Sequence, residues 1–339
     1  MNLHARAALM FAALSFATPS LAEDCGGLVQ RASLDMTLTR GNTILVPASF
    51  NGAPMQMLLD TAGAISSVSQ KTVKALNLSP HEVAVKTLDM RGNASQRAVR
   101  LDEFALGAVK GKGVDLMVLP DPDAQFDGLL AGDILDRYDV ELNFVTRKVN
   151  LFSPDHCEGK VIYWPATALA VVPFTLSHPA RGNPNEPASI MHSLPDTHIR
   201  VPVTLDGKTF SAIVDTGASI TTMSAVTAKS AFGVAADSPG AVAIAPNDPR
   251  FGYVFHSLAF EGIAVTNPHV LIYPDLIGKN DPDNTNTADS RITRVDDGLG
   301  PDLTIGMDVL KRLHLYIAYH ERKLYITPPD QPAPPTAGH

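Results

Sequence analysis

Residues 43–69, TILVPASFNGAPMQMLLDTAGAISSVS, align without gaps on residues 198–224, HIRVPVTLDGKTFSAIVDTGASITTMS. Eight of these 27 positions are identical, and most of the others exchange residues of one chemical class. A second block keeps the same order. Ala131–Leu151, AGDILDRYDVELNFVTRKVNL, lies over Gly306–Ile326, GMDVLKRLHLYIAYHERKLYI, with five of 21 positions identical. The offset grows from 155 residues in the first block to 175 in the second, so the copies differ mainly in a connecting loop. Ordered blocks with only their spacing changed mark a duplicated lobe.

Each copy reads as a set of short strands. Val46, Ala48 and Phe50, like Val201, Val203 and Leu205, alternate at the period of a half-buried strand. Asn51-Gly52 and Asp206-Gly207 then supply the pair that a tight hairpin needs at positive φ. The returning strands, Met55–Leu59 and Phe210–Val214, are continuously apolar at their ends, as expected of strands covered on both faces. They run directly into Asp60 and Asp215. An unpaired charge there costs on the order of several kcal/mol, so a carboxylate in both copies points to a task. In the second block, Asp133 and Asp308 precede short helical patterns, Ile134–Tyr138 and Val309–His314, and are expected to cap them. Strands Asp139–Phe144 and Leu315–Tyr319 follow. Turns carrying Arg147-Lys148 and Arg322-Lys323 then return the chain as Val149–Phe152 and Leu324–Thr327.

The bulk composition suits this reading. With 339 residues, 45% apolar and 18% charged, the chain has room for two ordinary domains with sizeable cores. A net charge of −8 argues against nucleic acid, whose affinity comes from cationic contacts to phosphate. Arg6, the apolar run Ala7–Ala17 and the small residues Ser20 and Ala22 read as a cleavable export signal over residues 1–22. No segment is long and apolar enough to span a bilayer, so the mature protein is expected to be exported, periplasmic or secreted. Cys25 and Cys157 are an even count for an oxidising compartment; a disulfide between them is expected, two buried thiols being the alternative. The domains then read as a first lobe over 23–153, a linker over 154–172, a second lobe over 173–327 and a disordered Pro-rich tail over 328–339. Polar stretches at His178–Asp196 and Gly278–Gly300 read as loops; the acidic residues of the latter lack the pattern of a calcium loop.

Asp-Thr at the same point of a duplicated β lobe resembles the aspartic proteases, most closely the retropepsin-like branch. The fuller pattern is Ile213-Val214-Asp215-Thr216-Gly217-Ala218-Ser219, with Ile305-Gly306-Met307-Asp308-Val309-Leu310 downstream. The resemblance implies an all-β chain of two acid-protease β-barrel lobes, with an active-site cleft between them. It implies an aspartic endopeptidase that uses a water activated between Asp60 and Asp215, with no metal or other cofactor. The partner implied is a protein or peptide substrate, and both aspartates stand in one chain, so dimerisation is not required. By position, Thr61 and Thr216 would interlock beneath the pair and Gly217 would allow close approach. Hairpins around Met90–Ala98 and Pro246–Tyr253 fall where the family has flaps. Lobe one departs from the pattern: Ala62 stands for Gly217, Ala64 for Ser219, and Ala131 for Gly306. The alternative is a weak or inactive pseudo-protease that binds extended peptides in the same cleft. No His-Glu-x-x-His, Gly-x-Ser-x-Gly or phosphate-binding loop competes.

Overall fold

The alternation in the first block becomes a hairpin in both copies. A computed structural model describes residues 25–88, 94–177, 197–274 and 303–329. In it, Ile44–Phe50 pairs antiparallel with Ala53–Leu59, and His198–Leu205 with Lys208–Val214. Val46, Phe50, Val201 and Leu205 are buried, as the period-two pattern requires. Both turns have two residues at positive φ, Asn51 at 50° and Gly52 at 84°, Asp206 at 43° and Gly207 at 81°. That twist matches the flanking strands, so the Asn-Gly and Asp-Gly pairs set the register.

Each returning strand is then covered. Ala53–Leu59 pairs parallel with Gly128–Leu130, and Lys208–Val214 pairs parallel with Leu303–Ile305. Those short strands pair on their other side with Ser67–Val68 and Thr221–Ser224. The turn holding each Asp-Thr is therefore enclosed between strands that leave from it and arrive at it. Ser69 and Ser224, which close the first block, cap helices Gln70–Ala75 and Ala225–Phe232 by accepting from the N–H groups of Thr72 and Thr227. The single helical turns of the second block are shorter than the sequence pattern suggested, Gly132–Leu135 and Met307–Leu310. The chain is all-β in class, with two lobes of one topology.

A six-stranded sheet joins the lobes. Lobe one contributes Gln30–Asp35, Lys148–Phe152 and Asp139–Asn143; lobe two contributes His314–Ala318, Lys323–Thr327 and Ala170–Pro173. At its centre Asp139–Asn143 pairs antiparallel with His314–Ala318, with Glu141 opposite Tyr316. These two residues occupy the same position of the repeat, so the pseudo-twofold relation of the lobes passes between them. The inward residues Val140, Leu142, Leu315 and Ile317 join one core with Leu59 and Val214, the residues preceding the two aspartates. The outward face is covered by residues 153–169, where Phe152, Val161, Tyr316 and Tyr325 form a smaller core with Trp164 packed on it.

Residues 1–22, the His178–Asp196 excursion, the Gly278–Gly300 loop and residues 330–339 of the tail lie outside the described residues. Among the described residues, no helix is long and apolar enough to cross a membrane. Cys25 and Cys157 form a disulfide with Cα atoms 4.8 Å apart, tying the segment before Gln30 to the segment over the outer face. Closing a chain separation of 132 residues restricts the unfolded state strongly. Replacing both cysteines by serine should lower unfolding free energy by about 4–5 kcal/mol; denaturant titration of both forms measures the difference.

Candidate active site

Asp60 and Asp215 end their strands in equivalent ways. The Asp60 N–H donates to the Leu130 carbonyl at 2.9 Å and the Asp215 N–H to the Ile305 carbonyl at 3.0 Å. Both residues are buried, with 3% and 2% of their surface exposed. The Asp60 Oδ1 accepts the Ala62 N–H at 3.0 Å. The Asp215 Oδ1 accepts the N–H groups of Gly217 at 2.8 Å and Ala218 at 3.0 Å. Backbone donors of this kind fix the plane of each carboxyl group.

The threonines join the two turns. The Thr61 N–H donates to Thr216 Oγ1 at 3.1 Å, and the Thr216 N–H donates to Thr61 Oγ1 at 3.1 Å. Each hydroxyl then donates across the lobe boundary, Thr61 to the Val214 carbonyl at 2.7 Å and Thr216 to the Leu59 carbonyl at 2.8 Å. The hydroxyls interlock through backbone groups and not with one another. Serine could in principle make these bonds, but the threonine methyl also restricts χ1 and holds the hydroxyl in place.

Gly217 is where the turns touch. A Cβ built on it would lie 2.6 Å from Asp60 Cγ and 2.7 Å from each Asp60 oxygen. The Asp60 carboxyl group thus rests on the face of Gly217, whose own N–H binds Asp215. The structure brings together Asp60, Thr61, Ala62, Asp215, Thr216, Gly217 and Ala218. Ser219 lies half-buried at the end of the turn, with its hydroxyl 3.3 Å from where a Cβ on Gly41 of lobe one would stand.

Two of the positions that distinguish lobe one pack on each other. The order Ala62-Gly63 stands against Gly217-Ala218, and Ala131 stands against Gly306. A Cβ on Gly63 would lie 2.9 Å from the Ala131 Cβ, so the Ala131 methyl group occupies the space beside Gly63. Gly306 has no room for a methyl group, since its Cβ would stand 2.4 Å from the Ile220 carbonyl carbon. Both differences are visible in the alignment; that Gly63 and Ala131 meet required the packing.

Asp133 and Asp308 do more than the capping expected of them. They stand in the first turn, after Ala131 and Gly306 at the N-caps, and bind the N–H groups of Ile134 and Val309. Asp133 Oδ1 also accepts from Ser66 N–H at 2.8 Å and Ser66 Oγ–H at 2.6 Å; Asp308 Oδ1 accepts from Thr221 N–H and Oγ1–H, both at 2.8 Å. Ser66 and Thr221 accept in turn from the N–H groups of Ala131 and Gly306. These bonds lock the end of each Asp-Thr turn to the downstream strand. Burial pushes the Asp133 carboxyl up to about 6, against the Ser66 bonds that lower it, and raises Asp308 likewise.

Of the flap-like hairpins, His81–Leu88 pairs with Ala94–Leu106, while its tip, residues 89–93, lies outside the described residues. In lobe two, Val242–Ala243 pairs with Phe251–Val254. Its tip is held by Arg250 gripping Asp248 at 2.6–3.2 Å, and this guanidinium keeps the Asp248 carboxyl at about 2. Among the described residues, no cluster of three or more His, Cys, Asp or Glu is arranged to hold a metal ion.

A family model described as aspartyl protease matches residues 46–134 and 201–309, together more than half of the chain. No curated protein matches it. Both matched regions contain one Asp-Thr turn and reach its downstream aspartate.

Two substitutions test the packing. Gly217→Ala should remove the Asp60–Gly217 contact and with it any chemistry that needs both carboxyl groups, while a melting curve shows the protein still folded. Gly63→Ala should destabilise by about 1–3 kcal/mol through overpacking. Adding Ala131→Gly should recover most of that loss in a double-mutant cycle.

Proposed function

The chain belongs to the aspartyl protease family, and from that premise we propose that it is an endopeptidase whose catalytic residues are Asp60 and Asp215. One observation carries the reading: the Asp60 carboxyl lies on the glycine whose N–H binds the Asp215 carboxyl. Two carboxyl groups so placed do not both ionise easily, so the pair holds one proton between them. The ionised member takes a proton from a bound water as that water attacks the peptide carbonyl carbon. The protonated member donates to the carbonyl oxygen, and the tetrahedral adduct collapses with a proton passed to the leaving amine. The four cross-lobe threonine bonds support this role, because shared-proton catalysis tolerates little movement between the partners.

The substrate class that suits the cleft is an extended segment of protein or peptide. The disulfide supports an exported, oxidising location. Ala62 favours the rival reading of a peptide-binding pseudo-protease, since a methyl group stands there where lobe two has Gly217. Against that, Ala62 still donates its N–H to Asp60.

The mature protein should cleave an unstructured polypeptide, and Asp60→Asn and Asp215→Asn should each lower kcat/KM by at least about 10³-fold without loss of folding. Cleavage that survives both changes rules out this site. Peptide binding without turnover in the native protein, from acid to neutral pH, would establish the pseudo-protease. Ala62→Gly should raise kcat if the methyl group crowds the pair.

A further inference from the structure

The outer face of the central sheet carries charge where a sheet buried between a core and a covering segment is ordinarily apolar. Asp139 and Glu141 on the lobe-one strand and His314 on the lobe-two strand are all buried. Glu141 Oε1 meets His314 Nε2 across the lobes at 2.7 Å. Glu141 Oε2 accepts from Asn150 Nδ2 at 2.7 Å and from the Tyr163 hydroxyl at 2.6 Å. Trp164 stacks on His314 with ring centroids 4.0 Å apart and donates from Nε1 to Thr327 Oγ1.

A second group lies beside this one. His156, from the segment between the lobes, directs Nε2 to Asp139 Oδ2 at 2.6 Å. Its Nδ1 lies 3.2 Å from the Cys157 carbonyl oxygen and 3.8 Å from Glu321 Oε1 of lobe two. The side chains of His156, Asp139 and Glu321 are 1%, 0% and 4% exposed. Both ring nitrogens thus face oxygens that only accept. A neutral imidazole has one N–H and must turn a lone pair toward one of them; the imidazolium satisfies both.

We propose that His156 is a positioning residue: as an imidazolium between a carboxylate of each lobe, it locks the connecting segment to both lobes and so sets the approach of Asp60 to Asp215. The proposal rests on the reading of that pair as catalytic. The mechanical link is the sheet itself, whose inward residues Val140, Leu142, Leu315 and Ile317 share a core with Leu59 and Val214. The disulfide holds Cys157, the neighbour of His156, against the start of the chain. An apolar trio of similar volume would pack as well, whereas an ionic one also fixes register and responds to protons.

The groups that face His156 give the sign of that response. Asp139 and Glu321 favour the charged ring, as does the Cys157 carbonyl, and together they outweigh the burial that opposes it, so its affinity for a proton is raised. Burial raises Asp139 as well, so the pair as a unit keeps its proton into a higher pH range. Around them, the Tyr316 hydroxyl donates to Asp139 at 3.4 Å, and the Gly159 N–H and Tyr325 hydroxyl donate to Glu321. Lys323 binds Glu158 and lies 3.8 Å from Glu321. A group whose proton is held more tightly in the folded state contributes its full stabilisation below the ordinary imidazole range. That contribution is lost as pH rises through the folded-state value. The lock is therefore closed below that value, while the two carboxylates stay ionised, and is released on the alkaline side by loss of one proton to solvent.

The test combines melting temperature against pH, nitrogen-15 NMR of the His156 ring, and kcat and KM on a peptide substrate. These are measured for the native chain, His156→Gln and the milder Asp139→Asn. The ring should still hold both protons above the ordinary range of a free imidazole. The native melting temperature should decline as pH rises beyond that range, and both variants should lose that decline. Their kcat should fall by up to ~10²-fold in acid with KM less affected, as expected when two reacting groups are displaced. A ring that loses its second proton within or below the ordinary range, or a decline unchanged in both variants, overturns the lock. A shifted melting profile with kcat unchanged overturns the positioning role. Melting and NMR need no turnover, so a native protein that titrates as stated but cleaves nothing sinks the endopeptidase reading instead.

Discussion

Four hydrogen bonds that Thr61 and Thr216 make across the lobe boundary are the constraint on which the rest of the molecule depends. Each threonine receives the other's N–H and donates to the carbonyl preceding the other's aspartate. Bonds of this sort contribute about 0.5–1.5 kcal/mol each in net stability, which is modest. Their greater effect is geometric. Two buried carboxyl groups repel when both are ionised, and nothing in either lobe alone would bring them together. The crossed threonine bonds supply that approach, and every neighbouring element serves to keep the two turns where those bonds can form.

The same pseudo-twofold relation governs the central sheet, with a different outcome. Glu141 and Tyr316 occupy one position of the repeat and face each other across the lobe boundary. Asp139 and His314 likewise share a repeat position, so the Glu141–His314 and Tyr316–Asp139 contacts are equivalent by the duplication. At the Asp-Thr turns both copies keep the acid and the threonine. At the sheet, one copy carries acids where the other carries a base and a phenol.

Lobe one shows how the turn accommodates a changed sequence. The Ala131 methyl group occupies space beside Gly63, which has no side chain to oppose it. Ala62 keeps its donor to Asp60 because that bond uses the backbone. The asymmetry reaches the donors as well as the packing, since Asp215 Oδ1 accepts from both Gly217 and Ala218, whereas the Gly63 N–H turns to the Asp60 carbonyl.

The duplication, the two hairpins and the strands ending in Asp60 and Asp215 were legible in the sequence. They follow from local physics: period-two burial, and Asn-Gly or Asp-Gly turns that admit positive φ. The caps at Ser69 and Ser224 were equally local and went unread, because the apolar pattern beyond them is short. Asp133 and Asp308 looked like helix caps because proximity in sequence favours that partner; in the fold, Ser66 and Thr221 bind them as well. The packing of Ala131 beside Gly63, the contact of Asp60 with Gly217, and the charges gathered about His156 were decided only in three dimensions. Each joins residues far apart in the chain, and no local propensity reports which distant groups a strand pairing will bring into contact.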